Sequence, residues 1–207
     1  MRSLAFLSQK GGSGKTTLAV HIAVAAELSH ERALLIDTDP QGSASAWAQA
    51  RKAEQPLIEK APSSSIVRIL ERAKHHGVTL AVIDTAPHAT LGVDVIAAVA
   101  DFLLIPCRPS AFDLAAIASS VQVVKAAGKP AAFVLNACDA RAPEVVEARD
   151  VLTGHALPVA PVAIGHRRAF SRAISSGLAV TEFEAHGKAA HEIVTLWKWI
   201  KQEMGWN

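Results

Sequence analysis

The sequence predicts an α/β protein, a mainly parallel twisted sheet with helices on both faces, and three observations predict it. Short apolar runs alternate with longer helix-like segments along the chain. The runs are apolar without interruption, as strands covered on both faces must be. A glycine-rich loop joins the first run to the first helix-like segment, the place where such folds bind anions.

In order, the strand candidates are residues 3–7, 33–36, 80–83, 102–105 and 131–135, with a weaker run at 159–164. Helix candidates lie near 15–29, 43–54, 64–76, 91–100, 112–127 and 143–153. Ser110 with Asp113 resembles a capping box at the fifth of these, and Gly128 suits its C-terminal stop. Residues 56–65 are the loosest stretch, too short to separate domains, and there is no internal repeat. The 207 residues therefore read as one domain, 1–207, large enough to bury a core without staples.

Composition narrows the class. Half the residues are hydrophobic and 19% are charged, which describes a globular protein in water. No apolar run approaches the roughly 18 residues of a membrane span. The apolar stretch behind Arg2 breaks at Ser8-Gln9-Lys10, so no signal peptide is expected. Cys107 and Cys138 match no common metal spacing, and a reduced, cytoplasmic setting is the expectation. A net charge of +2 leaves nucleic-acid binding to a local basic patch.

Ser8 to Leu18 reads SQKGGSGKTTL. Gly11, Gly12 and Gly14 can take positive φ and let backbone N–H groups close on an anion. Lys15 suits the β- and γ-phosphates and the Thr16 hydroxyl suits Mg²⁺. The usual phosphate-loop pattern has glycine where this chain has Gln9, and a second lysine, Lys10, stands five residues before the first. LLIDTDPQG places Asp37 and Asp39 at a strand's carboxyl edge. Strand alternation lets one of them face the nucleotide and leaves the other to the metal or the loop. LAVIDTAP places Asp84 after an apolar run, the arrangement that holds Mg²⁺ through water.

KGGSGKTT, DTDPQG and the apolar-DTAP segment together resemble the deviant Walker A ATPases of the ParA/MinD family. The short form is similar to the small plasmid-partition ParA proteins, including ParF. The resemblance implies a P-loop NTPase fold, ATP and Mg²⁺ as cofactors, and a nucleotide-sandwich homodimer formed with ATP. It implies that Gly11, Gly12, Ser13, Gly14, Lys15, Thr16 and Thr17 hold the nucleotide. It implies further that Asp39 activates the water, and that Asp37, Asp84 and Thr16 serve the metal. Lys10, expected to point outward from the loop, would cross the dimer interface to the partner's phosphates. Asn136 in VLNACDAR would contact adenine; a competing reading makes Asn136 and Asp139 a guanine code, although Ala137 stands where that code has lysine. The segment IPCRPSAFDLA is similar to one that helps form the dimer interface, and equally reads as a rigid turn before a helix. Ala86 stands where many relatives have a second proline.

GHRRAFSRA gathers Arg167, Arg168 and Arg172, a cluster able to neutralise DNA phosphates without reading bases. The chain starts at its first strand, which leaves no room for a preceding helix-turn-helix, so operator-specific binding is not expected. In HEIVTLWKWIKQEMGW, Ile193, Leu196, Trp197, Ile200 and Met204 form one stripe. A docked core helix is the first reading of that stripe, and a membrane-surface helix the second.

The function expected first is DNA partition. An ATP-bound dimer would bind DNA non-specifically, associating with the nucleoid, and a ParB/ParG-like centromere-binding protein would stimulate hydrolysis. The alternatives are a membrane-surface or protein-cargo positioning ATPase, and a metabolic ATP-using enzyme of the same fold.

Overall fold

A computed structural model describes residues 1–87 and 92–206. Six parallel strands form one sheet: β1 (Arg2–Phe6), β2 (Ala33–Asp37), β3 (Leu57–Lys60), β4 (Leu80–Asp84), β5 (Phe102–Cys107) and β6 (Ala131–Leu135). Their order across the sheet is β3-β2-β4-β1-β5-β6. The helices are α1 (Lys15–Leu28), α2 (Ser43–Ala50), α3 (Ile66–His75), α4 (Val93–Val99), α5 (Ala111–Ala127), α6 (Pro143–Thr153), α7 (Arg168–Ser175), α8 (Val180–Phe183) and α9 (Lys188–Glu203).

Strand alternation divides the core in two. Leu4 and Phe6 of β1 face a layer built from α1, α2 and α7–α9, whereas Ala5 and the following Leu7 face α3–α6. Both layers are apolar, so β1, β2, β4, β5 and β6 are buried almost throughout.

Two segments depart from the sequence reading. Residues 56–65, expected as a loose stretch, contain the edge strand β3, which pairs in parallel with β2 from Leu57 to Lys60. Its residues are half-buried or exposed, so the apolar run that marks an inner strand is missing. Residues 159–164, expected as a weak strand, follow β6 irregularly. The Ala160 and Ile164 N–H groups donate to the Phe133 and Leu135 carbonyls, and only isolated bridges form. Pro161 lies between those donors and has no N–H to give. Residue 91, the expected start of the fourth helix, lies outside the described residues.

The capping expected at α5 is present in part. The Ser110 hydroxyl accepts from the Asp113 N–H (3.2 Å), and Gly128 ends the helix at φ 62°. The Asp113 side chain returns to the Ser110 hydroxyl (2.5 Å) instead of the backbone. At the C-terminus, α9 is docked. Its stripe Ile193, Leu196, Trp197, Ile200 and Met204 is buried, about 1.5–3 kcal/mol of apolar burial for each large side chain. The Trp197 indole donates to the Ser29 hydroxyl (2.8 Å), and Trp206 packs edge-on against it at 5.8 Å. Trp199 and Trp206, which lie off that stripe and favour the membrane-surface reading, are half-buried and pack against this core. Among the described residues no helix is long and apolar enough to cross a membrane.

Candidate functional site: the phosphate loop and its carboxylates

The site forms at the carboxyl edge of the sheet because β1, β2 and β4 end there in register. Phe6 lies opposite Asp84, and Asp84 opposite Asp37. The chain leaves β1 through the glycine loop and enters α1 at Gly14, whose φ of 97° demands glycine. Gly14 also makes room: a Cβ there would lie 2.0 Å from the Asn136 amide nitrogen. Asn136 donates to the Ser13 carbonyl (2.7 Å) and through its backbone to the Cys107 carbonyl (2.8 Å). The ends of β5 and β6 are thereby locked to the phosphate loop, a contact that no local motif announces.

Lys15 is buried, and its ammonium donates to the Ser8 and Lys10 carbonyls (3.0 and 3.3 Å). Burial pulls its pKa down, against the pull of Asp84 and Asp39. Asp84 is fully buried, and neither carboxylate oxygen has a hydrogen-bond partner among the described residues. Burial pushes its carboxyl up to about 7; the Thr16 hydroxyl opposes that shift without completing a hydrogen bond. The Ser13 hydroxyl is buried and unpartnered as well.

Unpartnered buried oxygens are expensive unless a ligand satisfies them. Asp84 with Thr16 fits a hard divalent cation of the Mg²⁺ type, which takes one or two protein oxygens and completes its shell with phosphate and water. Among the described residues no group of three or more His, Cys, Asp or Glu side chains could hold a metal on its own.

The two aspartates at the end of β2 differ in their contacts. Asp37 accepts from the Asp39 N–H (3.1 Å) with one oxygen and from the Ser45 N–H and hydroxyl (2.9 and 2.7 Å) with the other. Both oxygens of Asp37, the residue expected to serve the metal, hold the loop and the start of α2 in this structure. Asp39 accepts from the Gln41 N–H (2.9 Å) and lines a cavity of about 440 Å³ with Thr38, Thr85, Pro87 and Ile96.

Lys10 differs from expectation. Instead of pointing outward, its ammonium pairs with Asp113 at the start of α5 (2.5 Å). Asp113 was legible only as a capping residue; the pairing spans 103 positions of sequence and has no local signal.

A second cavity, about 690 Å³, adjoins the loop and is lined by Gly14, Thr17, Arg108, Asn136, Gly165 and Phe170, among others. Its size and place suit a nucleoside. Asp139 does not line it; this carboxylate is exposed and lies 3.5 Å from His166. The guanine reading of Asn136 and Asp139 therefore has no geometric support. Arg108, which does line the cavity, follows β5 directly and was missed because a single arginine beside a proline carries no pattern.

The arginine cluster is also divided. The Arg167 guanidinium is engaged by Glu192 of α9 through Nη2 (2.5 Å) and Nε (3.1 and 3.2 Å). That side chain, about a third exposed, is thus paired within the chain. Arg168 and Arg172 are exposed on α7, with Arg172 5.3 Å from the Phe183 ring centroid.

Residues 4–180 match the family model described as the CobQ/CobB/MinD/ParA nucleotide binding domain. The chain is 36% identical to the maintenance of carboxysome distribution protein A of Gloeobacter kilaueensis, over 98% of this chain and 94% of that protein. It is 32% identical to the protein ParA of Rhizobium radiobacter over 56% of this chain and 53% of that one. Among solved structures, Cyanothece McdA in an ATP complex superposes with a TM-score of 0.80 at 16% identity, covering 100% of this chain and 97% of that one. MinD of Pyrococcus horikoshii with Mg-ADP gives 0.79 at 18%, covering 99% and 97%. The glycine loop, the aspartates at its edge and the parallel sheet agree with these likenesses: the chain belongs to the ParA/MinD family of nucleotide-binding domains.

Proposed function

We propose that this protein is a Mg²⁺-dependent ATPase that positions a protein cargo, using DNA as its matrix. The observation that carries this reading is the likeness, along nearly the whole chain, to a carboxysome distribution protein. The likeness to ParA covers about half the chain, and this supports cargo positioning over the DNA partition that the sequence put first. The partner that stimulates hydrolysis is then an adaptor on the cargo and takes the place of a centromere-binding protein.

In this reading Lys15 and the loop N–H groups hold the phosphates, and Thr16 and Asp84 hold the metal. Asp39 orients the attacking water. Asn136, fixed against Ser13, presents its remaining amide oxygen to the base. Lys10 leaves Asp113 when a second ATP-bound copy supplies phosphates to receive it, so dimerisation depends on ATP. Arg168 and Arg172 meet DNA phosphates.

The test combines turnover and imaging. Asp39→Ala should keep ATP binding, lose hydrolysis and accumulate as an ATP dimer by light scattering; parental turnover would remove Asp39 from this role. In cells lacking the protein, a protein assembly should lose its even spacing while DNA inheritance is unchanged. Evenly spaced assemblies with random DNA loss would restore partition as the function.

A further inference from the structure

Helix α2, which follows the Asp39 loop, is anchored at both ends in different parts of the molecule. At its start the Asp37 carboxylate accepts from both Ser45 donors and from the Asp39 N–H, so one side chain sets the position of helix and loop together. At its other end Arg51 meets Glu182 through two nitrogens (2.7 and 2.9 Å) and donates to the Gly177 carbonyl (3.1 Å). Its guanidinium lies 5.0 Å from the Trp47 ring centroid, and the Trp47 indole donates to the Leu178 carbonyl (3.2 Å).

Gly177 is pressed against α2 so closely that a Cβ would lie 2.4 Å from the Ala50 carbonyl. Gly177 and Leu178 join α7, which bears Arg168 and Arg172, to α8. The Arg51 side chain is only 5% exposed, so this pair is not a solvated surface bridge of little consequence. Although its own burial opposes this, Glu182 is held below its ordinary pKa, chiefly by Arg51 and the Ala179 N–H. A helix of eight residues, about 12 Å long, moves as a body and does not absorb a displacement at one end.

We infer that α2 couples the phosphate site to the basic face of α7, with Arg51 as the positioning residue at the joint. A γ-phosphate and its metal draw on the Asp37–Asp39 loop, α2 shifts with Ser45, and the Gly177–Glu182 segment carries the change to Arg168 and Arg172. The inference rests on the nucleotide reading above and adds to it the path, through α2 and Arg51, by which the phosphate site reaches α7. Linkage then requires the reverse effect of equal size: DNA on α7 must tighten ATP binding by the factor by which ATP tightens DNA binding. Lysine could not replace Arg51 at this joint, since it keeps the charge but not the planar fork that reaches Glu182 and Gly177 together.

The test compares the parent with Arg51→Lys and, as an independent break of the same joint, Glu182→Gln. Amide hydrogen exchange and DNA affinity are measured with Mg-ADP and with a non-hydrolysable Mg-ATP analogue. In the parent, the analogue should alter exchange at residues 178–183 and raise DNA affinity at least tenfold over ADP. In both variants it should still protect residues 11–16, while the response at 178–183 disappears and the affinity ratio falls to within about twofold of unity. Repeating the exchange on the Lys10→Ala background removes dimer contacts as a source of the response. Parent amides at 178–183 that ignore the nucleotide, or variants that keep the full response, would overturn the coupling. A parent that responds at 178–183 without binding DNA supports the coupling and removes the DNA reading. No protection at 11–16 in the parent overturns the nucleotide reading and the coupling with it.

Discussion

Asp84, at the carboxyl edge of the sheet, and His21, in the middle of α1, are both fully withdrawn from water. Burial drives each toward its neutral form: Asp84 up to about 7 and His21 down to about 3. Among the described residues, neither oxygen of Asp84 finds a hydrogen-bond partner, nor does Nε2 of His21. The surroundings separate them. Asp84 stands beside Lys15, Thr16 and Asp39, where a charged ligand approaches. His21 accepts from the Val180 N–H (3.3 Å), packs 5.1 Å from the Phe170 ring and is closed in by α8. The same physical cost therefore sits at the candidate site in one position and in the closed core in the other. The two also predict opposite dependences of stability on pH.

The largest effect is expected at Asp84. Asp84→Asn should lower Mg²⁺-dependent ATP turnover about a thousandfold, some 4 kcal/mol in the barrier. Because the folded pKa near 7 lies above the ordinary 3.8, the folded state holds an extra proton between those values. Stability of the nucleotide-free protein should therefore fall as pH rises from about 4 to 7, and the substitution should flatten that slope in thermal melts. Parental turnover would remove Asp84 from the metal site.

His21 should give the reverse slope. Its folded value, about 3, lies below the ordinary 6.5, so the unfolded chain takes the proton first as pH falls through that window. Its contribution is complete above about pH 6.5 and is lost toward pH 3, roughly 4 kcal/mol between pH 7 and 3.5. His21→Phe should melt lower at pH 7 yet lose less stability on acidification, with ATP turnover little changed. An acid limb as steep as the parent's would assign that limb to other groups.

A smaller effect sharpens the contrast from the ligand side. Lys15→Ala should weaken ATP binding by about 1.5–3 kcal/mol, roughly ten- to over a hundredfold by calorimetry, while the nucleotide-free fold survives. Unchanged affinity would refute the phosphate contact.

The smallest effect concerns Lys10. Its Asp113 partner is buried but Lys10 itself is about a third exposed, so the pair is worth about 1 kcal/mol at most. Asp113→Asn should free Lys10 and lower the ATP concentration that produces half-maximal dimer by up to about fivefold. A higher concentration would mean that Asp113 supports Lys10 in the dimer as well.

The local parts of this protein could be read from the chain. β2, β4, β5 and β6 announce themselves because strands buried on both faces are apolar at every position. β3 does not, since an edge strand with half-exposed Ile58 and Glu59 leaves no apolar run. The phosphate loop was legible because its glycines, Lys15 and Thr16 are contiguous, and their geometry is set by the backbone between them. The arginine cluster was legible as a cluster and not as a surface: Glu192, 25 positions away, engages Arg167.

The sequence by itself determined the parallel α/β fold, the anion-binding loop and the carboxylates at its edge, because these follow from short-range pattern and strand register. Only the tertiary structure decided which of those groups are free to act. It gave Asp37 to Ser45, Lys10 to Asp113 and Arg167 to Glu192, and among the described residues left Asp84 without a hydrogen-bond partner. It likewise placed Arg51 against Glu182, 131 positions away. A charge can be read from one residue, but whether it is satisfied depends on which distant segment the packed core brings against it.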